Sequence, residues 1–515
     1  MMKFIQELMA KGYLIEPSIL KEEAVGIISA VDDSILSNLI LELNPPKHIT
    51  KEFLVSHIPK ILEKLREDPF DKFKEVLECL SGKYIKDIKE EIEEKREEIL
   101  STRKVEIIEE YDTKPKKITV EDFVTNLRDR YQFFKALLQD RGLEGLTSIG
   151  KIYGNRRSVS IIGLVTLKRH TKNKNLLLEI EDPTGKIPVV VNRNRKELFD
   201  IAEDLALDEV IAIKASGTQE ILFANDLIFP DIGLREIKKA QEEEYAIFTA
   251  DLHFGSDKFL EKSFLKFISW LNGEIGNEKQ KELSKKIKYL FIVGDLADSV
   301  GVYPAQEKEL LIKDIYEQYD KIAEIISKIR KDITIIICPG NHDAVRLIEP
   351  QPIFDPKIAP RLYGLDNTII TTNPCIINIG KTDSFEGFNV LLYHGRSVDY
   401  YMDAIDSLRL SNAKLNPETV LKFLLKKRHL APTHASTTAL PELYDFLSIR
   451  KIPDIVVTGH MHRSGIINYN GVLGISCSCW QSKTGYQEKL GHEPDPGKVC
   501  LFNLKTRKIN VLDFS

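Results

Sequence analysis

The residues best suited to chemistry in this sequence follow apolar segments, at the point where each segment meets a polar turn. The clearest case is the segment 337–343, ICPGNHD, which continues the apolar run 333–337. This pattern is typical of a buried strand entering a turn, and α/β proteins place functional residues at strand ends. The Asn341 oxygen could bind a divalent cation, and the His342 imidazole could donate a proton to an oxyanion. Alone, however, a Gly-Asn-His-Asp sequence is most often an ordinary turn.

Four further apolar runs end on metal-ligand residue types. These residues are Asp251 and His253 after run 246–250, Asp295 after 289–293, His394 after 390–393, and His460 and His462 after 455–458. Alternate residues at a strand end point the same way, so Asp251 and His253 could bind one ion together. The two oxygens of Asp295 could bridge two cations. One such histidine is usually a hydrogen-bonded core or loop residue, but five similar junctions favour a metal site. Oxygen and nitrogen ligands suit Mn²⁺, Mg²⁺, Fe²⁺ or Zn²⁺, and the sequence does not distinguish these ions.

These motifs resemble a known superfamily. Asp-x-His, Gly-Asp, Gly-Asn-His-Asp, His-Gly and Gly-His-x-His occur in the order found in calcineurin-like metallophosphoesterases, which include the double-strand-break repair nucleases. Four longer segments are similar to those of the small subunits of archaeal family D DNA polymerases: DLHFGS (251–256), GDLAD (294–298), HGRS (394–397) and RHLAP (428–432). The resemblance extends from about Val120 to the C terminus.

The resemblance implies a two-metal site for phosphodiester hydrolysis. One metal would be held by Asp251, His253, Asp295 and His462, and the other by Asp295, Asn341, His394 and His460. Two such ions clamp a phosphodiester and lower the pKa of a water molecule. Mn²⁺ or Mg²⁺ is expected for activity, with Fe²⁺ or Zn²⁺ as alternatives. His342 would donate a proton to the leaving oxygen, because the pKa of histidine lies near neutral pH.

Four neighbouring residues have competing interpretations. Asp343 could orient the His342 imidazole or could stabilise the turn. Arg396 could contact phosphate, but a surface salt bridge is the favoured interpretation. His429 and His434 are interpreted as structural or surface residues, since the ligand count is complete without them. The family pattern has an aromatic residue where His434 stands.

Composition limits the function classes. A chain of 515 residues is too long for one core, and about three domains are expected. A net charge of −5 argues against a protein that coats nucleic acid through bulk positive charge. The scattered cysteines are expected to be buried thiols in a reducing compartment rather than disulfide or zinc ligands. We find no long apolar segment or signal peptide at Met1-Met2-Lys3, so a cytoplasmic protein without membrane contact is expected.

The N-terminal third is divided by composition. Residues 1–80 have the apolar period of short amphipathic helices, interrupted by prolines, and predict a small helical module. Protein docking and ordinary packing are equally good interpretations of this module. Residues 81–117 carry charge runs such as Lys89–Glu98 and are interpreted as a linker, either a solvated helix or a disordered tether.

Residues 118–235 predict a helix followed by a barrel. The helix begins at Thr119, with Asp122 as its capping partner, and ends at Gly142. Five short strand patterns follow and suggest an OB-like barrel: 158–166, 176–180, 187–191, 210–215 and 221–228. Aromatic residues are few there, so subunit contacts are favoured over single-strand binding. The resemblance also implies that the barrel packs on the phosphoesterase and helps to contact a large subunit.

Residues 240–515 alternate apolar strands with helices over 259–271, 309–329 and 420–425. This alternation predicts two packed sheets with flanking helices, and the strand patterns at 472–478, 499–502 and 509–512 are expected to complete the second sheet. The expected fold is therefore a multidomain α+β chain with an N-terminal helical module, an OB-like β-barrel and a calcineurin-like αββα sandwich phosphoesterase domain.

Two functional hypotheses follow from the resemblance. In the first, the chain is a 3′-to-5′ proofreading exonuclease that acts on DNA 3′ ends beside a separate large catalytic polymerase subunit. In the second, it is a catalytically silent structural subunit. The first is favoured because every expected ligand is present. A nuclease or phosphatase that acts alone is disfavoured by the barrel that precedes the catalytic domain. The polarity of digestion comes from the resemblance and not from residue spacing.

Overall fold

The computed structural model describes residues 14–15, 41, 48–49, 92–111 and 117–515. The chain divides into two compact units, Met1–Glu97 and Glu98–Ser515. In the first unit, strands β1 (Leu14–Ile15) and β2 (His48–Ile49) pair in parallel. The rest of the predicted helical module, residues 1–80, lies outside the described residues. The bounds of the four predicted domains stay predictions.

The stretch interpreted as a linker contains regular structure. Residues 92–102 are helical (α1). Strand β3 (Val105–Glu109) follows and pairs antiparallel with residues 376–379. Val105 is buried in the core, whereas Glu106 is exposed. Strand β3 was not predicted because its short alternation of apolar and charged residues lies among longer charge runs. Its partner strand is also far away in the sequence.

A capped helix leads into a closed barrel. Helix α2 (Val120–Gln139) has the predicted capping box, in which Thr119 and Asp122 bond each other's backbone N–H groups. The barrel strands are β4 (Arg156–His170), β5 (Leu176–Asp182), β6 (Gly185–Val191), β7 (Val210–Gly217) and β8 (Leu222–Ile228). Helix α3 (Lys196–Glu203) connects β6 to β7. The strand order is β4-β5-β6-β8-β7, and alternate residues such as Leu176 and Leu178 fill the interior.

The remaining elements lie between residues 245 and 513. The strands are β9 (Tyr245–Thr249), β10 (Ile287–Val293), β11 (Thr334–Cys338), β12 (Thr368–Ile370), β13 (Cys375–Ile379), β14 (Phe388–Leu392), β15 (Ile455–Thr458), β16 (Gly465–Tyr469), β17 (Val472–Ser476), β18 (Lys498–Asn503) and β19 (Ile509–Asp513). The helices are α4 (Glu261–Leu271), α5 (Glu278–Lys285), α6 (Ile315–Ile326), α7 (Pro360–Tyr363), α8 (Val398–Ala404), α9 (Asp406–Leu410), α10 (Glu418–Lys427) and α11 (Gly485–Leu490).

These strands form two six-stranded sheets. The first has the order β12-β11-β10-β9-β18-β19, and the second has the order β16-β17-β15-β14-β13-β3. Residues of both sheets, such as Phe248 and Val390, share one buried cluster. On its outer face the first sheet packs against α4 and α6, and the second packs against α10. The prediction of a multidomain fold that mixes helices and sheets is confirmed.

The C-terminal strands differ from the prediction. Only β17 belongs to the second sheet, whereas β18 pairs with β9 and extends the first sheet. A strand pattern gives the existence of a strand but not the edge on which it adds, because pairing depends on partners far away in the sequence. The helix predicted over 309–329 is also shorter, since α6 begins only after its N-cap Asp314.

Buried ion pairs connect the barrel to the two-sheet part of the chain. Lys427, at the end of α10, lies 2.8 Å from the carboxylate of Glu209, directly before β7. Both side chains are buried. Arg130 of α2 donates to Asp445 over 2.6 Å and to the Asp208 carbonyl over 3.0 Å. These contacts join α2, the start of β7 and the segment 427–445. Separating either ion pair would leave a buried charge without its partner.

His429 is a structural residue, as interpreted from the sequence. Its Nδ1 accepts the Ala431 N–H over 3.0 Å, and its Nε2 lies 2.9 Å from Asp445. Since Nδ1 accepts, Nε2–H donates to the carboxylate and the ring is neutral. Burial lowers the pKa of His429 to about 4, although Asp445 opposes the shift.

This lowered pKa predicts a loss of stability in mild acid. The unfolded chain takes up a proton near pH 6.5 and the native chain near pH 4, so stability falls as the pH drops through this window. Between pH 7 and pH 5 we expect the wild type to lose about 2 kcal/mol relative to His429→Gln. Urea unfolding in a chelator checks this, because the other histidines titrate alike in both proteins. A difference in unfolding free energy that does not change with pH would contradict it.

Five cysteines of the described chain are buried free thiols: Cys338, Cys375, Cys477, Cys479 and Cys500. This confirms that these five are buried thiols, and Cys79 lies outside the described residues. Within the described part of the chain, no helix combines the length and apolar character needed to cross a bilayer.

Candidate metal centre

Five strand ends bring the predicted ligands together. Parallel strands β9, β10 and β11 of the first sheet end just before Asp251, Asp295 and Asn341. In the second sheet, parallel strands β14 and β15 end just before His394 and His460. Because parallel strands expose their carboxyl ends at one edge, neighbouring loops in each sheet deliver side chains to one region.

The backbone at most of these positions is unusual. Five of the seven predicted ligands have a left-handed conformation, with φ between 50° and 69°: Asp251, His253, Asp295, His460 and His462. Such a conformation costs a non-glycine residue about 1–3 kcal/mol and persists only where the surrounding structure enforces it. Backbone strain therefore coincides with the sequence pattern at five of the seven residues.

Two glycines allow the loops to approach closely. Gly294 has a φ of +83°, and a Cβ added there would collide with the ring of His394. A Cβ on Gly340 would collide with the carboxylate of Asp295. The glycine before each ligand in Gly-Asp and Gly-Asn is thus needed for the contact between loops.

Asp251, His253 and His462 form one group of ligand atoms, all within 4.8 Å of one another. Nε2 of His253 lies 2.9 Å from Nε2 of His462, which in turn lies 3.5 Å from Oδ1 of Asp251. All three side chains are buried. Burial lowers the pKa of both histidines, which favours the neutral imidazole that metals bind.

Asp295, His394 and His460 form a second group, whose ligand atoms also lie within 4.8 Å of one another. Nε2 of His394 lies 3.2 Å from Oδ2 of Asp295 and 3.0 Å from Oδ1 of Asn341. Nδ1–H of His394 donates to the Val293 carbonyl over 3.0 Å, so Nε2 faces these oxygens. Burial lowers the pKa of His394, but Asp295 outweighs it and raises the pKa to about 10. The oxygens therefore stabilise positive charge at this point.

Asp295 lies between the two groups. Its Oδ2 is 3.6 Å from Nε2 of His253 and 3.2 Å from Nε2 of His394. Its Oδ1 accepts the backbone N–H of His342 over 2.8 Å. The sequence suggested a bridge through two carboxylate oxygens, whereas in the structure one oxygen faces both groups.

Three residues that were not selected from the sequence orient the ligand histidines. Oδ1 of Asp298 lies 2.8 Å from Nδ1 of His253. Oδ2 of Asp399 lies 2.8 Å from Nε2 of His460. Nε2 of Gln487 lies 2.8 Å from Nδ1 of His462. Such outer contacts fix ring orientation in metal sites. Asp298 ends the GDLAD segment, so its position was a usable signal. Asp399 lies in α8 and Gln487 in α11, and no sequence motif pointed to either residue.

Asp298 gives a testable prediction. We expect Asp298→Asn to weaken Mn²⁺ binding about 10–100-fold, because the charge that orients the His253 ring and supports its basicity is removed. Isothermal titration with Mn²⁺ measures the effect. Asp257→Asn is the matched control, since Asp257 is an exposed carboxylate in the loop that carries His253. Equal Mn²⁺ affinity in the two variants would disprove a supporting role for Asp298.

His342 is half-buried at the edge of the site. Its Nδ1–H donates to the Asp298 carbonyl over 3.1 Å, which leaves Nε2 for another partner. Burial lowers its pKa, but Asp295 and Asp298 outweigh this and raise the pKa to about 9. A third group of possible ligand atoms joins His253, Asp298 and His342, but there Nδ1 of His253 is already bonded to Asp298.

Asp343 stabilises the turn and does not orient His342. Its carboxylate accepts the N–H groups of Leu296, Ala297 and Gly340 and the hydroxyl of Tyr319. The orienting role considered for Asp343 is therefore wrong, and Asp298 holds the imidazole instead.

The two other neighbouring residues lie outside the ligand groups. Arg396 donates to the Leu347 carbonyl over 3.2 Å and forms no ion pair with any described residue, so the surface salt bridge stays a prediction. His434 is exposed and contacts the ring of Phe123 edge-on, with centroids 5.6 Å apart. This matches its interpretation as a surface residue.

Comparison with known proteins identifies the family. Residues 246–466 match the model of the family of B subunits of DNA polymerases alpha and epsilon. The DNA polymerase II small subunit of Methanothermobacter thermautotrophicus is 37% identical over 396 residues, which cover 76% of this chain and 79% of that protein. The small subunit of Pyrococcus furiosus is 35% identical over 82% of this chain and 69% of its own length.

The comparison with solved structures gives asparaginyl-tRNA synthetase from Pyrococcus horikoshii, with 20% sequence identity and a TM-score of 0.13. The match covers 14% of this chain and 19% of that chain, and nothing follows from so small an overlap. The sequence relatives decide the question, since each extends over most of both chains. The chain belongs to the family of archaeal DNA polymerase II small subunits.

Proposed function

We propose that the protein is the exonucleolytic small subunit of a two-subunit archaeal replicative DNA polymerase. In this proposal it removes nucleotides from DNA 3′ ends by metal-dependent phosphodiester hydrolysis. The observation that carries it is the proximity of two groups of possible metal ligands, Asp251-His253-His462 and Asp295-His394-His460. Asp295 of the second group also faces His253 of the first over 3.6 Å, and Asn341 contacts His394 over 3.0 Å. The 3′-to-5′ polarity rests on the resemblance to family D small subunits.

The fold supports the proposal at the level of domains. Two packed sheets with helices on their outer faces are compatible with a calcineurin-like αββα sandwich phosphoesterase domain. The closed five-stranded barrel ahead of it is compatible with an OB-like barrel.

The donor set fits two divalent metal ions. Asp251, His253 and His462 would hold one ion and Asn341, His394 and His460 the other, with Asp295 shared. The ligand types suit Mn²⁺ or Mg²⁺, with Fe²⁺ or Zn²⁺ as alternatives. When bound, such ions would supply positive charge to a phosphodiester and make a water molecule more acidic.

The exposure of the residues defines the side from which a substrate would approach. Asp251, His253, Asp295, His394 and His462 are buried. Asn341, His342 and His460 are only half-buried, so the site opens on their side. There Nε2 of His342 could donate a proton to the leaving oxygen, while the Asp298 carbonyl holds the opposite ring nitrogen.

A large catalytic subunit is the proposed partner. The relatives are named small subunits, and a protein of that description implies a larger companion. We propose that the barrel contributes to docking this partner. Exposed apolar side chains on the barrel, such as Phe223 with 50% of its surface exposed, support a contact role.

The test is digestion of single strands that carry a label at the 3′ end or at the 5′ end, with the protein alone and with its large subunit. Metal-free protein and protein supplied with Mn²⁺ are compared. We expect Mn²⁺-dependent release of the 3′ label as a mononucleotide, while the 5′ label stays on progressively shorter strands. No release under any condition, with metal shown to be bound, would favour the structural-subunit alternative.

A further inference from the structure

Two tyrosine rings stack at the edge of the candidate metal centre. The rings of Tyr303 and Tyr486 have centroids 5.0 Å apart and an interplanar angle of 17°. Tyr486 keeps 42% of its surface exposed although one face lies against Tyr303. The pair therefore offers a flat aromatic surface to solvent, and neither the metal ligands nor His342 accounts for it.

The tyrosine pair is attached to the site from both sides. The ring of Tyr303 lies 6.1 Å from the ring of His342, and its hydroxyl donates to Glu309 over 2.9 Å. Tyr486 lies in α11 directly before Gln487, which contacts the ligand His462. The Tyr303 ring thus lies beside His342, and Tyr486 is placed by its stack on Tyr303 and by its sequence neighbour Gln487, which contacts His462.

We propose that the tyrosine pair is a binding site for the nucleobase of the nucleotide being removed, a proposal that rests on the function proposed above. Every nucleobase has a π-face, so stacking on an aromatic side chain binds all four bases without reading sequence. A base on the pair would lie beside His342, at the open side of the ligand groups. An apolar protein surface is a poorer occupant, because the Tyr303 ring lies 6.1 Å from the ring of His342, beside the proposed site of phosphodiester hydrolysis.

The proposal has a consequence for substrate choice. A base paired in a duplex is already stacked on its neighbour and must leave the helix before it can stack on the tyrosines. The energy needed is smallest for a mismatched or single-stranded base. The tyrosine pair would therefore favour unpaired 3′ ends over paired ones.

The test uses Tyr486→Ala, with Tyr486→Phe as the matched control that keeps the ring. Binding is followed with a single strand carrying 2-aminopurine as the 3′-terminal base, whose fluorescence is quenched by stacking. The experiment is done with Mn²⁺ in a His342→Ala background, so that the strand is not digested. We expect quenching with the parent and Tyr486→Phe, and an affinity about 5–100-fold weaker without the ring. A strand with an abasic 3′ terminus has no fluorescent base, so its binding is measured by gel shift, and all three proteins should bind it equally.

The outcomes separate this proposal from the function on which it rests. If Tyr486→Ala weakens binding of the abasic strand as much as that of the normal strand, the ring acts through the fold and the proposal is overturned. Absence of quenching with the parent overturns it as well. Digestion of 3′-labelled strands by the wild type is measured separately. Digestion without quenching would support the exonuclease function and contradict the base-binding site. Quenching without digestion would contradict the exonuclease function alone.

Discussion

His342→Ala is expected to keep the metals and lose hydrolysis by about 10²–10⁴-fold. The substitution removes the proposed proton donor, whose Nδ1–H is held by the Asp298 carbonyl. It removes none of the seven proposed ligands. The backbone N–H that bonds Asp295 also remains, because it does not depend on the side chain. Mn²⁺ content and the rate of 3′-end digestion are measured on the same preparation.

The matched control for this variant is His434→Ala, which removes an exposed histidine that contacts Phe123. We expect this control to digest DNA at the wild-type rate. Loss of metal together with activity in His342→Ala would instead identify His342 as a ligand, in the group that it forms with His253 and Asp298. Unchanged digestion would exclude it as the proton donor.

Asp295→Asn is expected to disturb both metals at once. One carboxylate oxygen of Asp295 faces Nε2 of His253 at 3.6 Å and Nε2 of His394 at 3.2 Å. An amide has the same shape but no charge, so each ion loses an anionic ligand. We expect metal content to fall at both positions and digestion to decrease at least as much as in His342→Ala.

Thermal unfolding gives a second measurement of this effect. A ligand that binds only the native state raises stability by RT ln(1 + [L]/Kd), so Mn²⁺ should raise the Tm of the wild type. The increase should be much smaller for Asp295→Asn and unchanged for the exposed control Asp257→Asn. A full complement of both ions in Asp295→Asn would rule out a bridging role for this residue.

The clustering of the proposed ligands could be predicted because their signals are local. Each follows an apolar run that becomes a strand, and the strand end fixes where the side chain lies. Asp251, Asp295 and His394 therefore needed no long-range information. The capping box of Thr119 and Asp122 is local in the same sense, and the structure confirms it.

The missed features depend on contacts between distant segments. Asp399 bonds His460 across 61 residues, and Gln487 bonds His462 from a short helix. No local pattern distinguishes either from an ordinary surface residue. The wrong sheet for β18 has the same origin, since nothing in its sequence indicates that β9 is its partner.

The error at Asp343 has a different cause. The imidazole of His342 was paired with the nearest carboxylate in the sequence. In the structure this carboxylate turns inward to three backbone N–H groups, and Asp298 reaches the ring from the neighbouring loop. Because the acceptor is the backbone carbonyl of Asp298, sequence adjacency says little about which acceptor a side chain meets in a site built from several loops.

Under the proposed exonuclease function, the buried Lys427–Glu209 pair also bears on when the removal of nucleotides can begin. Because this pair and the contacts of Arg130 join the barrel to the sheets, a partner docked on the barrel would stay at one distance and angle from the metal centre. The DNA end, and not the nuclease, would then have to move. The distance between the partner's polymerase site and the metal centre would set how many nucleotides must separate from the template before the terminal nucleotide can be cut.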